Sequence, residues 1–123
     1  MNYNVFVTDE ALEDIWTFVS YIHRKLYNPD AAERLYHNLK REVNKVGHFP
    51  LQFSDSGIRY RGYVIHKKVY KSYLIFYIIN DDKREVYILR ILKDLMNWRI
   101  ILHLPKIYHF SNYVKFKDRG LSD

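Results

Sequence analysis

The sequence predicts an α+β domain: a helical hairpin packed on one face of a small antiparallel β-sheet, in the order β-α-α-β-β-β-α. Three observations predict it. Two neighbouring stretches in the first half repeat apolar residues at helical spacing. Three stretches from Tyr60 onward carry strand-length apolar runs joined by short polar links. Strands that follow helices in blocks, rather than alternating with them, favour helices segregated on one face of an antiparallel sheet.

The first element is a strand, Tyr3-Asn4-Val5-Phe6-Val7, rich in β-branched and aromatic residues. Thr8 then suits a helix N-cap, with Asp9 and Glu10 in the first turn where the helix dipole favours anions. Leu12, Ile15, Trp16, Val19, Ile22 and Leu26 form its apolar stripe. Asn28-Pro29 starts a second helix, whose stripe is Ala32, Leu35, Leu39, Val43 and Val46 with Tyr36 beside it. Gly47 is a natural C′ residue, and Pro50 prevents continuation. The short link makes the helices an antiparallel hairpin.

The strands are read as Gly62 to Tyr70, Tyr73 to Asn80 and Glu85 to Leu92, linked by Lys71-Ser72 and by Asp81-Asp82-Lys83-Arg84. The second and third are apolar on both alternating faces, which places them centrally, covered on both sides. Asp94 to Leu102 fits a short third helix with Leu95, Trp98, Ile101 and Leu102 inward. Residues 1–102 form the domain. Residues 103–123 are a tail of uncertain structure, interrupted by Pro105, Asn112 and Gly120, with Tyr108, Phe110, Tyr113 and Phe116 scattered through it.

Composition narrows the function classes. With 123 residues, 48% of them hydrophobic and 17% aromatic, the chain fills one domain core without help from a metal. It has no cysteine, which excludes disulfides and cysteine-ligated zinc and suits a cytoplasmic location. The N-terminal segment lacks the features of a secretory signal, and the longest apolar run, Tyr73 to Ile79, is too short to span a bilayer. No membrane partner is expected. The formal charge of +6 favours a polyanionic partner, nucleic acid or an acidic protein.

The positive charge is concentrated. Between Asp55 and Asp81 there is no acidic residue, and the interval holds Arg59, Arg61, His66, Lys67, Lys68 and Lys71. Interleaved with Tyr60, Tyr63 and Tyr70, these cations suit gripping phosphates and stacking on bases. The alternative is an edge strand made basic to block sheet-to-sheet aggregation. Arg90 interrupts an apolar strand, so it either meets a carboxylate such as Asp94 or emerges beside the basic strand against a phosphate. His66 is either a surface residue or a general acid–base. His23, His37, His48, His103 and His109 show no metal-ligand spacing, so neither metal nor cofactor is expected. Glu10, Glu13, Asp14 and Glu33 read as solvated helix faces, the alternative being acid–base work.

The run from Lys71 to Leu92, with its Tyr73-Leu74-Ile75-Phe76-Tyr77 strand, acidic turn and Val86-Tyr87-Ile88-Leu89-Arg90 strand, resembles the signature hairpin of RelE/ParE toxins of type II toxin–antitoxin systems. The opening from Val5 to Ile15 is similar to that family's first strand and helix start. The resemblance covers residues 3–102. It implies a toxin neutralised by a cognate acidic antitoxin whose flexible arm wraps it, the two together repressing their own promoter with the antitoxin holding operator DNA.

Two activities are implied, and the sequence is read first as the RNA-cleaving one, with gyrase poisoning as the alternative. RelE-like members are ribosome-dependent mRNA endoribonucleases, in which a 2′-hydroxyl attacks the neighbouring phosphodiester and cations stabilise the developing charge. On that reading Lys67, Lys68, Lys71 and Arg90 hold the scissile phosphate, His66 moves a proton, and Arg59, Arg61 and Tyr70 hold the flanking RNA. ParE-like members instead poison DNA gyrase. Leu74 stands where many RNA-cleaving members carry an arginine after the tyrosine that opens the strand, as in ParE-like sequences, and Tyr87 matches no terminal RelE group. A third reading is an inactive relative whose tail occludes the basic face.

Overall fold

Short-range chemistry sets the first elements of the structure, a computed structural model that describes residues 2–104 and 107–109 and the backbone at 114–115. Strand β1 (Asn4–Val7) runs into Thr8, whose Oγ1 accepts from the Ala11 N–H at 3.1 Å and caps α1 (Asp9–Arg24). The same hydroxyl donates to the Leu89 carbonyl at 2.9 Å, so the cap also pins the helix start to the sheet. Asn28 caps α2 (Pro29–Val46) in the same way, its side chain accepting from Ala31, with Pro29 in the first turn as expected.

The meander follows as β2 (Ser54–Tyr60), β3 (Tyr63–Tyr70), β4 (Tyr73–Asn80) and β5 (Glu85–Lys93), then α3 (Trp98–His103) and the short β6 (Val114–Lys115). Among the described residues the strands form one sheet in the order β2-β3-β4-β5-β1-β6. The meander is antiparallel, as its short turns require, whereas β1 lies parallel to β5. No tight turn joins β1 to its neighbour; the hairpin and the whole meander intervene, so its direction is free of hairpin geometry.

The α+β class and the helical hairpin are as predicted, and β4 and β5 sit centrally. Beneath the helices, Val5, Val7, Tyr73, Ile75, Tyr77, Val86, Ile88 and Ile91 pack against Ala11, Ile15, Val19, Leu39 and Val43. On the opposite face, Ile58, Ile65, Leu74, Phe76, Leu89 and Leu92 pack against Trp98, Leu102 and Tyr108.

Several expectations are corrected. Residues 54–60, which the sequence reading leaves ahead of its first meander strand, form β2; its register shifts between Asp55 and Arg59, and Gly57 takes φ 86 there. Arg59 therefore sits on a strand, and Arg61 in the turn after it. Helix α3 begins at Trp98, not Asp94, and Leu95 is 97% exposed instead of inward. Trp16 and Leu26 are more than half exposed, and Trp16 stacks on Tyr36 of α2 with ring centroids 5.6 Å apart. Gly47 has right-handed backbone angles. Glycine is needed there for a close approach: an added Cβ would lie 2.7 Å from the Tyr3 carbonyl oxygen and 2.8 Å from Val5 Cγ2.

Beyond α3, Tyr108 is buried in the second core, and His109 bonds the start of α1. Pro105, Phe110, Asn112, Tyr113, Phe116 and Gly120, noted as tail features, lie outside the described residues. No helix among the described residues is long and apolar enough to cross a membrane.

Candidate functional site

Neighbouring residues on a strand point to opposite faces of a sheet, and β3 obeys this rule. In its register with β4, His66 lies opposite Tyr77 and Lys68 opposite Ile75, both on the face under the helices; Lys67 lies opposite Phe76, on the α3 face. The two lysines expected to share a phosphate are thus on different sides of the sheet.

Lys68 is 6% exposed. Its Nζ lies 3.1 Å from Glu42 Oε1, donates to the Glu42 carbonyl at 2.9 Å, and sits over the Phe53 ring. Burial lowers its pKa, with the Glu42 contacts pulling the other way. Burial also acts upward on Glu42, but the bonds from Lys45 and Lys68 prevail and hold its carboxyl below the usual range. Lys67 instead places its Nζ 4.8 Å over the Trp98 ring.

His66 packs its ring on Tyr77, centroids 5.3 Å apart, and its Nδ1 donates to the Phe53 carbonyl at 3.1 Å. Tyr77 in turn donates to the Pro50 carbonyl, and burial pushes its hydroxyl pKa well above the ordinary value. This histidine holds the Phe53 segment to the sheet.

Arg90 does meet a carboxylate, and it is Asp14 of α1, not Asp94. Its Nε donates to Oδ2 at 2.7 Å and its Nη2 to Oδ1 at 2.9 Å. The Asp14 carboxylate hydrogen bond raises the Arg90 pKa further. Arg90 also sits where the β4–β5 register shifts, and the Ile91 N–H donates to Asp14 Oδ2 at 2.9 Å.

The remaining candidates are spread along the sheet. Arg59 forms an exposed pair with Asp55 at 3.2 Å. Arg61, at φ 50 in the β2–β3 turn, lies over Tyr60, and Lys71, at φ 53 in the β3–β4 turn, lies over Tyr70. These turns are at opposite ends of β3, roughly 23 Å apart at about 3.3 Å per residue. The structure therefore brings Arg59 and Arg61 together and leaves Lys67, Lys68, Lys71 and Arg90 without a common focus.

Sequence reasoning missed Asp14 and Glu42, the carboxylates that claim Arg90 and Lys68. A signal was present: Asp14 lies three residues after Ala11 and Glu42 three after Leu39, on the flanks of the buried stripes. Beside the β2–β3 turn a cavity of about 790 Å³ opens between Arg59, Tyr60, Arg61, Leu102, His103 and Tyr108. Burial lifts the Tyr108 hydroxyl to about 12. Among the described residues, no three His, Asp or Glu side chains gather to hold a metal ion.

Residues 5–98 match the family model described as ParE toxin of type II toxin-antitoxin system, parDE. The fold is similar to that in the toxin–antitoxin complex RelBE2 from Mycobacterium tuberculosis, with 19% identity, a TM-score of 0.56, and 76% of this chain and 99% of that one covered. It is also similar to a mutant of the E. coli toxin RelE in the free state, with 18% identity, a TM-score of 0.53, and 83% and 94% covered. No curated protein matches the chain.

Proposed function

The chain belongs to the ParE toxin family of type II toxin–antitoxin systems, and on that premise we propose that it arrests growth by binding and poisoning DNA gyrase, without cutting RNA itself. One observation carries this choice: Lys68 and Arg90 are each held by a separate carboxylate, while Lys67 faces the other side of the sheet. Cleavage by a neighbouring 2′-hydroxyl needs cations preorganised around one phosphate, a few ångströms from the oxygens that gain charge. Cations on two faces, two of them neutralised, do not supply that. The likeness to RelE concerns the fold, and Leu74 at the strand opening agrees with the ParE-like side of the family.

The partners follow from the same reading. A basic toxin with a formal charge of +6 suits an acidic antitoxin arm, because complementary charge speeds encounter. Operator DNA is engaged through that antitoxin, and the site of action is the cytoplasm, where gyrase works.

The test is induced expression with two readouts, transcript 5′-end mapping and recovery of gyrase-linked DNA breaks. The expected result is broken DNA and blocked replication with transcripts intact. Translation-dependent transcript ends with unbroken DNA would overturn the proposal and restore a ribosome-dependent endoribonuclease.

A further inference from the structure

We propose that the cavity beside the β2–β3 turn binds a nucleoside phosphate. Its walls divide into two kinds. Arg59, Arg61 and His103 supply the cationic and hydrogen-bonding side, while Tyr60, Tyr108 and Leu102 supply an aromatic and apolar side. At about 790 Å³ it is an open cleft with room for one small molecule.

The anion-binding side is available. Among the described residues no carboxylate bonds Arg61 or His103 and none lines the cavity, while His109, also in its wall, is held by Glu10. Arg59 is held by Asp55, but both side chains of that pair are about half exposed, so an incoming phosphate exchanges with the carboxylate at little cost. The guanidinium fork matches phosphate oxygens two at a time. Arg61 is presented by a two-residue turn in which both it and Gly62 take positive φ, so its backbone is fixed while its side chain reaches inward.

The other half of the cavity explains why the ligand carries a ring. Tyr60 and Tyr108 meet edge to face, centroids 5.0 Å apart, and Tyr108 is 5% exposed. Buried Tyr108 holds that corner rigid, and the half-buried Tyr60 ring with the planar Arg61 guanidinium over it offers the surface on which a base lies flat. Inorganic phosphate would leave the aromatic side unused, and a neutral apolar ligand would leave Arg61 without an anionic partner. A nucleoside phosphate uses both. Free nucleotides and the terminal nucleotide of a strand share this chemistry.

Titration calorimetry on the full chain tests it with adenosine and uridine 5′-monophosphates. The expected Kd is below about 1 mM, with adenosine alone and inorganic phosphate alone each binding at least about tenfold more weakly. Arg61→Asn keeps a residue that tolerates the left-handed backbone and should weaken binding about tenfold or more. Arg24→Gln, which removes one charge at the far corner of the helical hairpin, should change it less than about twofold. A 5′-phosphorylated dinucleotide that binds more tightly than the mononucleotides identifies a strand end as the source; weaker binding identifies the free nucleotide. The proposal is overturned if no nucleotide binds, if the unphosphorylated dinucleotide binds as well as the phosphorylated one, if Arg61→Asn and Arg24→Gln weaken binding equally, or if a glutamate-rich peptide binds more tightly and in an Arg61-dependent way. The titration needs no toxicity, so its failure and that of the gyrase reading are separately visible.

Discussion

Asp14 of α1 meets Arg90 at the break in the β4–β5 ladder, and one carboxylate serves both the arginine and the backbone that the break exposes. Asp14 takes two bonds from the Arg90 guanidinium and a third from the Ile91 N–H, all within 2.9 Å. The pair fastens the middle of α1 to β5 at a point where strand pairing is irregular. It lies largely out of solvent, the two side chains being 17% and 12% exposed.

Arg90→Met should be strongly and pH-dependently destabilising. Removing one partner of a buried pair leaves the other charge uncompensated, a cost of about 3 kcal/mol at neutral pH. Burial already lifts the Asp14 carboxyl above its ordinary value against the pull of Arg90 and Ile91, and losing Arg90 lifts it further. A carboxyl whose folded pKa lies above its unfolded value binds protons more readily in the folded state, so its effect on stability becomes less unfavourable as pH falls. The deficit of Arg90→Met relative to the parent should therefore narrow between pH 7 and pH 5. Urea unfolding at both values checks this; an equal deficit at the two would show that Asp14 is not the cause.

Lys68 separates packing from chemistry. Lys68→Met keeps the buried stem but leaves Glu42 with only its more exposed Lys45 partner, so it should cost about 1–2 kcal/mol, less than Arg90→Met. Lys68→Ala opens a void under α2 and should cost about 2–3 kcal/mol. Under gyrase poisoning the well-folded Lys68→Met protein remains toxic. A stable Lys68→Met protein that no longer arrests growth would mean that the ammonium acts directly on the target.

The comparison of these two sites shows what the sequence made legible. Helix caps at Thr8 and Asn28, the central strands β4 and β5 and the hairpin turns were all readable, because each depends on local chemistry. The candidate site was less so. Lys67 and Lys68 are adjacent on a strand, and strand periodicity alone already forbids both from facing one phosphate; that signal was present and outweighed by their charge. The partners of Lys68 and Arg90 are 26 and 76 residues away in the chain. Only the packing of α2 over β3 and of α1 over β5 brings them close. Strand β2 was hidden for a different reason: its polar residues stand at a sheet edge with an irregular register, where the apolar alternation of a core strand is not required.

Gly47→Ala tests the close approach at the start of the sheet. The Tyr3 N–H donates to the Gly47 carbonyl at 2.7 Å, which holds the two backbones together. A methyl group would meet the Tyr3 carbonyl oxygen and Val5 Cγ2 below contact distance. Relief requires β1 to shift from α2, and the overpacking should cost about 2 kcal/mol. Thermal unfolding of the purified variant measures it. An unchanged or raised Tm would show that β1 accommodates the methyl group.

The segment beyond α3 should come loose in acid, and Glu10 should be the reason. The Glu10 carboxylate accepts from the His109 N–H at 2.9 Å and pairs with its Nδ1 at 2.5 Å, while Asp9 N–H donates to the His109 carbonyl at 2.9 Å. Burial pushes the Glu10 carboxyl upward, but the His109 bonds outweigh it and the net shift is downward. A depressed folded pKa contributes stability that is fully present above the unfolded value, about 4.3, and is lost as pH falls through the folded value. Glu42 is shifted the same way, so the parent alone does not isolate the contact; Glu10→Gln does. Hydrogen exchange at residues 107–109 in the parent should be protected at pH 6 and fast at pH 3, after correction for intrinsic rates. In Glu10→Gln it should be fast at both. Protection that persists in Glu10→Gln at pH 6 would place the hold on this segment in the burial of Tyr108 alone, and Tyr108→Ala would then release it where Glu10→Gln did not.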